Sequence, residues 1–427
     1  MKIKNFHDLA VNRIREVALM IAETGLEAID TEAVMEKRVV LQGDVLSIQG
    51  KYISLAPIKR IFVVGAGKCS LDAAKVLERV LGERLTGGIV IGIDDTQLKK
   101  IKTFRGTHPF PSAANIEATA ELIHFLSGMT EHDLVLFVIS GGGSTLLCQP
   151  PSGITYENEA RALKILFEKG ATIEEINTLR KHLSSARGGF LAQYAYPARI
   201  ISLAFSDVPG NKIELIASGP TVKDETMVDD ARRILEKFDM EKELKLSLPL
   251  IETPKDEKYF TNVWNTTVVS NEIALAAMAE KAKELGFTPI IRTSTLSGEA
   301  REIGEHIVKE LHEAPSRSVF LYGGEPTVTV TKPGKGGRGL ELVLSALQSI
   351  IPGELVLSLA SDGRDNCDFA GALCDIMTKE KALTFGLDAA KCLKENMSYY
   401  FFEHEFDYLM TGTTGSNVSD LLVGVKL

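Results

Sequence analysis

The stretch 61-IFVVGAGKCS-70 contains the pattern that decides the fold of this chain. An apolar, β-branched run over residues 61–64 ends in a glycine turn, and residues 70–81 then carry apolar side chains at helical spacing. The pattern predicts a strand, a tight turn and a helix. Strands and helices continue to alternate along the chain, and connections of this length join parallel strands. Further strands are predicted over residues 88–93, 134–139 and 199–205, and further helices over residues 116–126 and 156–168.

A charged, proline-containing segment over residues 236–258 separates this set from a second alternating set. The sequence predicts an α/β fold with two α/β domains facing a central cleft, the N-terminal one Rossmann-like with a mainly parallel sheet. We expect the domains to cover residues 1–250 and 251–427. Strands of the second domain are predicted near residues 263–269, 289–293, 318–322 and 355–359.

Composition excludes several classes of function. The 427 residues carry a formal net charge of −9 without any long run of Lys or Arg, so nucleic-acid binding is not expected. The N-terminal 25 residues mix charged and apolar residues at helical spacing, which predicts a helix of a soluble protein and no membrane association. The five cysteines lack a C-x-x-C pair, which favours reduced thiols and a cytoplasmic location. We expect a monomer or a homodimer.

The glycine loop after the first strand contains Gly65, Gly67 and Lys68. Phe62 and Cys69 stand where a P-loop requires Gly and Ser or Thr, and Ser70 replaces the third glycine of a dinucleotide fingerprint. The amides that open the following helix, together with Lys68, predict an anion site. A tight turn with a solvated lysine is the alternative.

Three consecutive glycines, Gly141, Gly142 and Gly143, follow the strand over residues 134–139. Glycine lets the main chain approach a ligand closely, and Ser140 and Ser144 flank the run. We expect the amides and hydroxyls to form a nest for phosphate oxygens. A strained turn that packs beneath a helix is the alternative.

Cationic residues cluster in the segment NTLRKHLS and just after it. Arg180, Ser184 and Arg187 are spaced at i, i+4 and i+7, which places them on one face if the helix continues. Such a face, with His182 beside it, can bind a carboxylate or phosphate because arginine offers two parallel donors. A solvated charged face and a structural histidine are the alternatives.

Two aspartates directly follow predicted strands, Asp207 in SDVPG and Asp362 in SDGRD. Carboxylates in such positions can hold Mg²⁺ or accept a proton from an attacking hydroxyl. Each can also serve only as a turn or a helix cap.

The C-terminal half offers four further candidates. Glu325 ends a strand in GGEPT, and Lys335 and Arg338 lie in a flexible loop before a predicted helix. Asn417 belongs to TGTTGSNVSD, which resembles a ligand loop before a last strand. A cation next to the positive end of a helix predicts that Arg338 clamps a phosphate or carboxylate. A disordered surface loop is the alternative.

Together these segments resemble the class II glycerate 2-kinase family, the glycerate kinases that carry a MOFRL domain. The resemblance implies a kinase that uses ATP and a divalent cation to phosphorylate D-glycerate at its 2-hydroxyl, with an active site between two α/β domains. It also implies catalytic roles for Lys68 and Arg338, and for Asp207 and Asp362. The motifs that carry it are GAGK with Lys68, THPFP with His108, SGGGS, NTLRKHLS, SDV with Asp207, IASGPT, GGEPTV, GGR with Arg338, SDG with Asp362 and TGTTGSNVSD.

Several positions depart from the family pattern. Ser112 stands where an acid is common, Asn211 replaces an aspartate, and Gly339 and Leu340 replace Asn-Gln. Residues 364–369 also lack the usual glycine and threonine pattern. The departures leave substrate choice open, and the residues alone fix neither the phosphorylated hydroxyl nor the preferred nucleotide and cation.

The mechanistic hypothesis is direct in-line transfer without a phosphoenzyme. Lys68 and the glycine amides hold phosphate charge, Mg²⁺ bridges ATP oxygens, Arg338 steadies the transferring group, and Asp207 or Asp362 orients the metal or the hydroxyl. Domain closure is expected to exclude water. Two alternatives stay open: a nicotinamide-dependent hydroxypyruvate or tartronate semialdehyde reductase, suggested by Gly65-x-Gly67 and Asp94, and a non-catalytic sugar-acid or nucleotide sensor.

Overall fold

The structure is a computed structural model that describes residues 1–427 apart from the side chain of Pro209. The helices are α1 (Phe6–Leu9), α2 (Arg13–Ala28), α3 (Thr31–Arg38), α4 (Ser70–Leu81), α5 (Ala113–Leu126), α6 (Gly143–Leu146), α7 (Tyr156–Glu168), α8 (Ile173–His182), α9 (Phe190–Ala195), α10 (Val228–Lys237), α11 (Met240–Leu244), α12 (Asn271–Glu284), α13 (Ala300–Glu313), α14 (Arg338–Ser349), α15 (Ile376–Phe385), α16 (Ala389–Lys394) and α17 (Ser398–Glu405). Among the described residues, no helix is long and apolar enough to cross a membrane.

The strands are β1 (Val39–Gln42), β2 (Val45–Ile48), β3 (Lys51–Ser54), β4 (Arg60–Ala66), β5 (Leu85–Gly92), β6 (Ile101–Arg105), β7 (Asp133–Ile139), β8 (Arg199–Phe205), β9 (Val263–Val269), β10 (Thr288–Leu296), β11 (Ser318–Gly324), β12 (Glu354–Ala360), β13 (Gly371–Cys374), β14 (Tyr408–Leu409) and β15 (Asp420–Lys426). The chain forms two compact units. We call them the middle unit (Val34–Val268) and the terminal unit (Met1–Ala33 with Val269–Leu427).

The middle unit is built on a six-stranded sheet with the order β6-β5-β4-β7-β8-β9. Neighbouring strands from β6 through β8 pair in parallel. Numbered along the sheet, this is the 3-2-1-4-5-6 order of Rossmann folds, whose ligands bind beyond the carboxyl ends of the strands. Every residue of β7 is buried, as expected for a strand covered on both faces. The prediction of an N-terminal α/β domain with a mainly parallel sheet is confirmed.

The terminal unit also contains a six-stranded sheet, in the order β10-β11-β15-β12-β13-β14. Only β10 and β11 pair in parallel; the other pairs are antiparallel. The last strand, β15, therefore lies between β11 and β12, near the centre of the sheet. This explains why the apolar end of the sequence is buried rather than frayed.

The N-terminal helix α2 belongs to the terminal unit. Gly25 lets it approach α12, because a Cβ at this position would lie 2.7 Å from Sδ of Met278. The buried guanidinium of Arg15 donates to Asp375 and Asp407 at 2.6–2.8 Å. These ion pairs connect α2 to the C-terminal part of the same unit.

The compact units differ from the predicted domains of residues 1–250 and 251–427. The strand Val263–Val269 is predicted to belong to the second domain, but it is an edge strand of the middle unit's six-stranded sheet, next to β8. A strand's apolar pattern does not reveal its pairing partner, so local sequence could not place it. The antiparallel sheet β1-β2-β3 was not predicted either.

Candidate anion-binding site

Two loops meet at the carboxyl edge of the middle unit's sheet, because β4 and β7 are parallel neighbours. Gly67 has φ +143°, and a Cβ on it would lie 2.0 Å from Oγ of Ser140. The Cys69 amide donates to that hydroxyl at 3.0 Å, and the Lys68 amide donates to the Gly141 carbonyl at 2.9 Å. The first loop is thus packed directly against the second.

These contacts correct one expectation. The amides that open α4 were predicted to hold an anion, but those of Lys68 and Cys69 already donate to the neighbouring loop. Gly65 is also a packing position, since a Cβ there would lie 2.9 Å from the Val138 carbonyl oxygen. The first loop therefore contributes the Lys68 side chain rather than its amides.

The second loop is better suited to bind an anion. Gly142 has φ +82°, and the amides of Gly143 and Thr145 close internal turns. In the described structure, the amides of Gly141 and Gly142 donate to no protein acceptor. Adjacent unpaired amides before a short helix form the kind of nest that binds phosphate oxygens.

Lys68 lies beside this nest. A Cβ on Gly142 would lie 3.3 Å from Cγ of Lys68 and 3.1 Å from Cδ2 of His108. The half-buried Lys68 ammonium makes no ion pair with any acidic side chain that the structure describes. Partial burial and, after it, the charge of Lys68 lower the pKa of His108. His108 was noted only as part of the THPFP motif, and the structure adds it to the loop.

Hydroxyl groups hold the loop from its other side. The Ser144 and Ser218 hydroxyl oxygens lie 2.9 Å apart, and Ser218 donates to Oδ1 of Asn177 at 3.1 Å. Ser144 must therefore donate to Ser218, so its proton anchors the loop. Ala217, Ser218 and Gly219 all have positive φ, a conformation that is costly for the two that are not glycine.

The cationic cluster divides into two groups. Helix α8 ends at His182, so Ser184 and Arg187 do not continue its face as the spacing predicted. His182 is buried, with its ring nitrogens bound to the Ile251 carbonyl and the Thr226 hydroxyl, and Ser184 accepts from the Ala186 amide. Arg180 and Arg187, in contrast, line one cavity with Ser144.

Arg338 of the terminal unit is held by two carboxylates. It is the first residue of α14, and Nε lies 2.5 Å from Asp420 while Nη1 lies 3.1 Å from Glu325. Asp365 accepts from the Gly339 and Leu340 amides and so occupies the N-terminus of α14. The positive helix end that was expected to meet an anion is filled by a protein carboxylate. Asp365 belongs to the SDGRD segment, and no role was predicted for it.

Two buried aspartates near Arg338 have raised pKa values. Burial raises the pKa of Asp420 to about 7, although Arg338 opposes the shift. Burial raises the pKa of Asp365 to about 6, against two backbone hydrogen bonds. Two buried carboxyl groups near the guanidinium, those of Asp420 and Asp365, therefore have pKa values well above the ordinary value of an aspartate.

The remaining candidates are more peripheral. The exposed Lys335 places Nζ 3.6 Å from the Tyr399 ring centroid, and Asp362 accepts from the Arg364 amide. Asp207 and Asn417 are half-buried, Asp207 just after β8. Among the described side chains, no group of three or more His, Cys, Asp or Glu lies close enough to hold a metal ion. Metal binding by Asp207 and Asp362 stays a prediction.

Replacing Gly67 by alanine should disorganise the site. The new Cβ would meet both Oγ and the carbonyl of Ser140, at 2.0 and 2.7 Å. We expect the free energy of unfolding to fall by about 2 kcal/mol and amide hydrogen exchange to accelerate over residues 140–144. Gly87→Ala is the control, because its nearest neighbour would lie 3.5 Å away. Equal stability of the two variants would contradict this packing.

Asp420→Asn should change the pH dependence of stability. The folded pKa of Asp420 lies above its ordinary value, so the protonated carboxyl stabilises the fold at low pH and this contribution is lost as pH rises towards 7. Urea unfolding from pH 5 to 8 should show the wild type losing stability relative to the variant. Asp368→Asn, at an exposed position, should run parallel to wild type. If the free energy of unfolding changed with pH equally in the wild type and in Asp420→Asn, the raised pKa of Asp420 would be refuted.

Comparison with known proteins places these features in a family. Residues 17–249 match a family described as a domain of unknown function (DUF4147), and residues 318–420 match the MOFRL family. The chain is 35% identical to a glycerate 2-kinase of Pyrococcus horikoshii, covering 96% of this chain and 97% of that protein.

The other matches also span nearly full lengths. A putative hydroxypyruvate reductase of Agrobacterium vitis is 35% identical, over 85% of this chain and 98% of that protein. The crystal structure of a Thermotoga maritima glycerate kinase superposes with a TM-score of 0.86 at 31% identity, covering 97% of this chain and 99% of that one. The chain thus belongs to the class II glycerate 2-kinase family, whose members carry a MOFRL domain.

Proposed function

We propose that this protein transfers the γ-phosphoryl group of ATP to the 2-hydroxyl of D-glycerate, giving 2-phosphoglycerate. The observation that carries the proposal is the Lys68 side chain, whose Cγ lies close to Gly142 and whose ammonium has no acidic partner in the described structure, next to a loop in which the Gly141 and Gly142 amides are unpaired. Full-length similarity to a glycerate 2-kinase supports the choice of substrate.

Phosphoryl transfer depends mainly on positioning and on stabilising negative charge. Donors fixed before the reaction need no reorganisation, so a loop packed against its neighbour is suited to the task. Lys68 and the two amides would hold phosphate oxygens of ATP, in a direct in-line transfer without a phosphoenzyme. His108, whose pKa is lowered, would add a neutral ring beside them.

Arg338 is proposed to steady the transferring group. Asp420 and Glu325 fix its guanidinium from two directions, which sets its orientation before any ligand binds. Raised carboxyl pKa values reduce the negative charge around it near neutral pH, so it keeps attraction for phosphate.

Asp207 and Asp362 carry carboxylate oxygens, which are ligands of the kind that Mg²⁺ prefers. Mg²⁺ takes oxygen ligands and is commonly held by one or two carboxylates together with substrate phosphates, so a cluster of three acids is not required. Asp207 and Asp362 are the residues proposed to hold it, and the bound ion would neutralise charge on the phosphates. Either carboxylate can alternatively orient the substrate hydroxyl.

The reductase alternative is supported by the name of the Agrobacterium vitis relative and by the Rossmann strand order. Dinucleotides place their pyrophosphate on the amides that open the first helix. Here two of those amides donate to Gly141 and Ser140, and Ser70 replaces the third glycine. These features disfavour a nicotinamide cofactor at this loop.

An activity assay separates the alternatives. The purified protein is incubated with D-glycerate, ATP and Mg²⁺, and separately with hydroxypyruvate and NADH, while ADP and NADH are followed. We expect ADP to form without NADH consumption, and phosphorus NMR to identify the 2-phosphate. NADH oxidation would support the reductase, and no turnover in either mixture would leave a sensor.

Lys68→Ala should abolish most kinase activity without destabilising the protein. Its ammonium has no protein partner, so its loss removes charge stabilisation only. We expect kcat/KM for glycerate phosphorylation to fall by about 10²–10³-fold, with an unchanged thermal midpoint. Lys102→Ala is the control, because Lys102 is exposed and pairs with Glu121. Wild-type activity in Lys68→Ala would refute the assignment.

A further inference from the structure

A cavity of about 310 Å³ in the middle unit has no role in the proposal above. Its wall combines Arg180, Arg187 and Glu159 with the aromatic ring of Phe110 and the aliphatic side chain of Leu163. Ser144 also lines it, so the cavity adjoins the glycine loop. All of these residues lie within one compact unit.

The buried charges of this cavity do not balance. Arg187, 1% exposed, pairs with Glu159, which is 2% exposed, and its buried Nε has no partner in the described structure. The half-buried Arg180 has neither a hydrogen bond nor an ion pair from its guanidinium to any described residue. Two guanidinium groups thus share one carboxylate.

The nearby thiol of Cys148 does not supply the missing negative charge. Cys148 contacts Glu159, but burial and that carboxylate raise the pKa of its thiol to about 12, so it stays neutral. Burial, followed by repulsion from Arg187, lowers the pKa of Arg180 to about 10, so the guanidinium stays charged at neutral pH. An uncompensated cation in a partly apolar cavity is costly unless an anion binds there.

We propose that Arg180, with the free Nε–H of Arg187, binds the carboxylate of the acid substrate in this cavity. The inference rests on the proposed function and adds the residues that select an acid. A planar guanidinium can bind both oxygens of a carboxylate. The cavity volume lies at the lower end of the range for small-molecule sites, which suits a three-carbon acid and not a nucleotide.

The cavity's position agrees with this assignment. Because Ser144 belongs both to its wall and to the loop proposed to hold phosphate, an acid anchored on Arg180 lies next to the phosphoryl donor. A neutral analogue such as glycerol would leave Arg180 uncompensated, so the site should discriminate strongly against it. The same two residues then explain both binding and selectivity.

The test compares Arg180→Gln with Arg161→Gln. Arg161 lies on α7, is exposed, and donates only to the Glu243 carbonyl, so it is a matched control outside the cavity. We expect Arg180→Gln to raise KM for D-glycerate about 10- to 100-fold while KM for ATP stays constant. Arg180→Lys should recover part of the loss. Because Arg180 has no internal partner, its replacement should not lower the thermal midpoint.

Calorimetric titration with D-glycerate in the absence of ATP separates this inference from the proposed function. If the wild type binds glycerate and Arg180→Gln does not, the subsite is supported even if no phosphorylation occurs. An unchanged KM and affinity for glycerate in Arg180→Gln would overturn it. A rise in KM for ATP alone would also overturn it, because the cavity would then hold phosphate.

Discussion

The close approach of Gly67 to Ser140 is the constraint on which the candidate site depends. Only a residue without Cβ fits there, since any Cβ would overlap Oγ of Ser140. Once the loops are in contact, the Cys69 and Lys68 amides have partners, and the usual anion-binding end of the first helix is closed. The candidate anion site therefore lies in the next loop of the sheet, where the amides of Gly141 and Gly142 donate to no described acceptor and the Lys68 side chain lies close to Gly142. The strand order is that of a Rossmann fold, but the amides of the first loop bind the neighbouring loop and are not left to bind a ligand.

Arg338 and Arg180, both half-buried, differ in the partners of their guanidinium groups. Arg338 is held by Asp420 and Glu325, so the protein itself sets the direction of its guanidinium. Arg180 has no such partner, and only Arg187 beside it is compensated by a carboxylate. A cation held by protein acids is suited to orienting a group that changes during reaction. A cation without an internal partner is suited to binding a ligand that keeps its charge throughout, as a carboxylate does.

Local pattern predicted the strand and helix over residues 60–81 and the loops at the sheet edge, because periodicity and glycine turns are properties of neighbouring residues. The assignment of Val263–Val269 to the second domain was wrong, because the sheet that a strand joins depends on pairing with residues distant in sequence. Arg180 and Arg187 were correctly grouped for an incorrect reason: the helix ends at His182, and tertiary packing rather than helical spacing brings both to one cavity. The role of Asp365 could not be predicted, because nothing in SDGRD shows that it fills the start of α14.

The strained turn at Ala217 and Ser218 completes the physical account of the loop. Two consecutive left-handed residues that are not glycine cost about 1–3 kcal/mol each, and such strain persists only where the surroundings enforce it. Here the turn brings the Ser218 hydroxyl between Ser144 and Asn177, so the glycine loop is anchored on the side opposite Ser140. This anchoring uses the Ser144 proton, and the Ser140 oxygen accepts from the Cys69 amide. Recognition is then left to the groups that internal structure does not use, namely the Lys68 ammonium, two glycine amides and the Arg180 guanidinium, all of which favour anions.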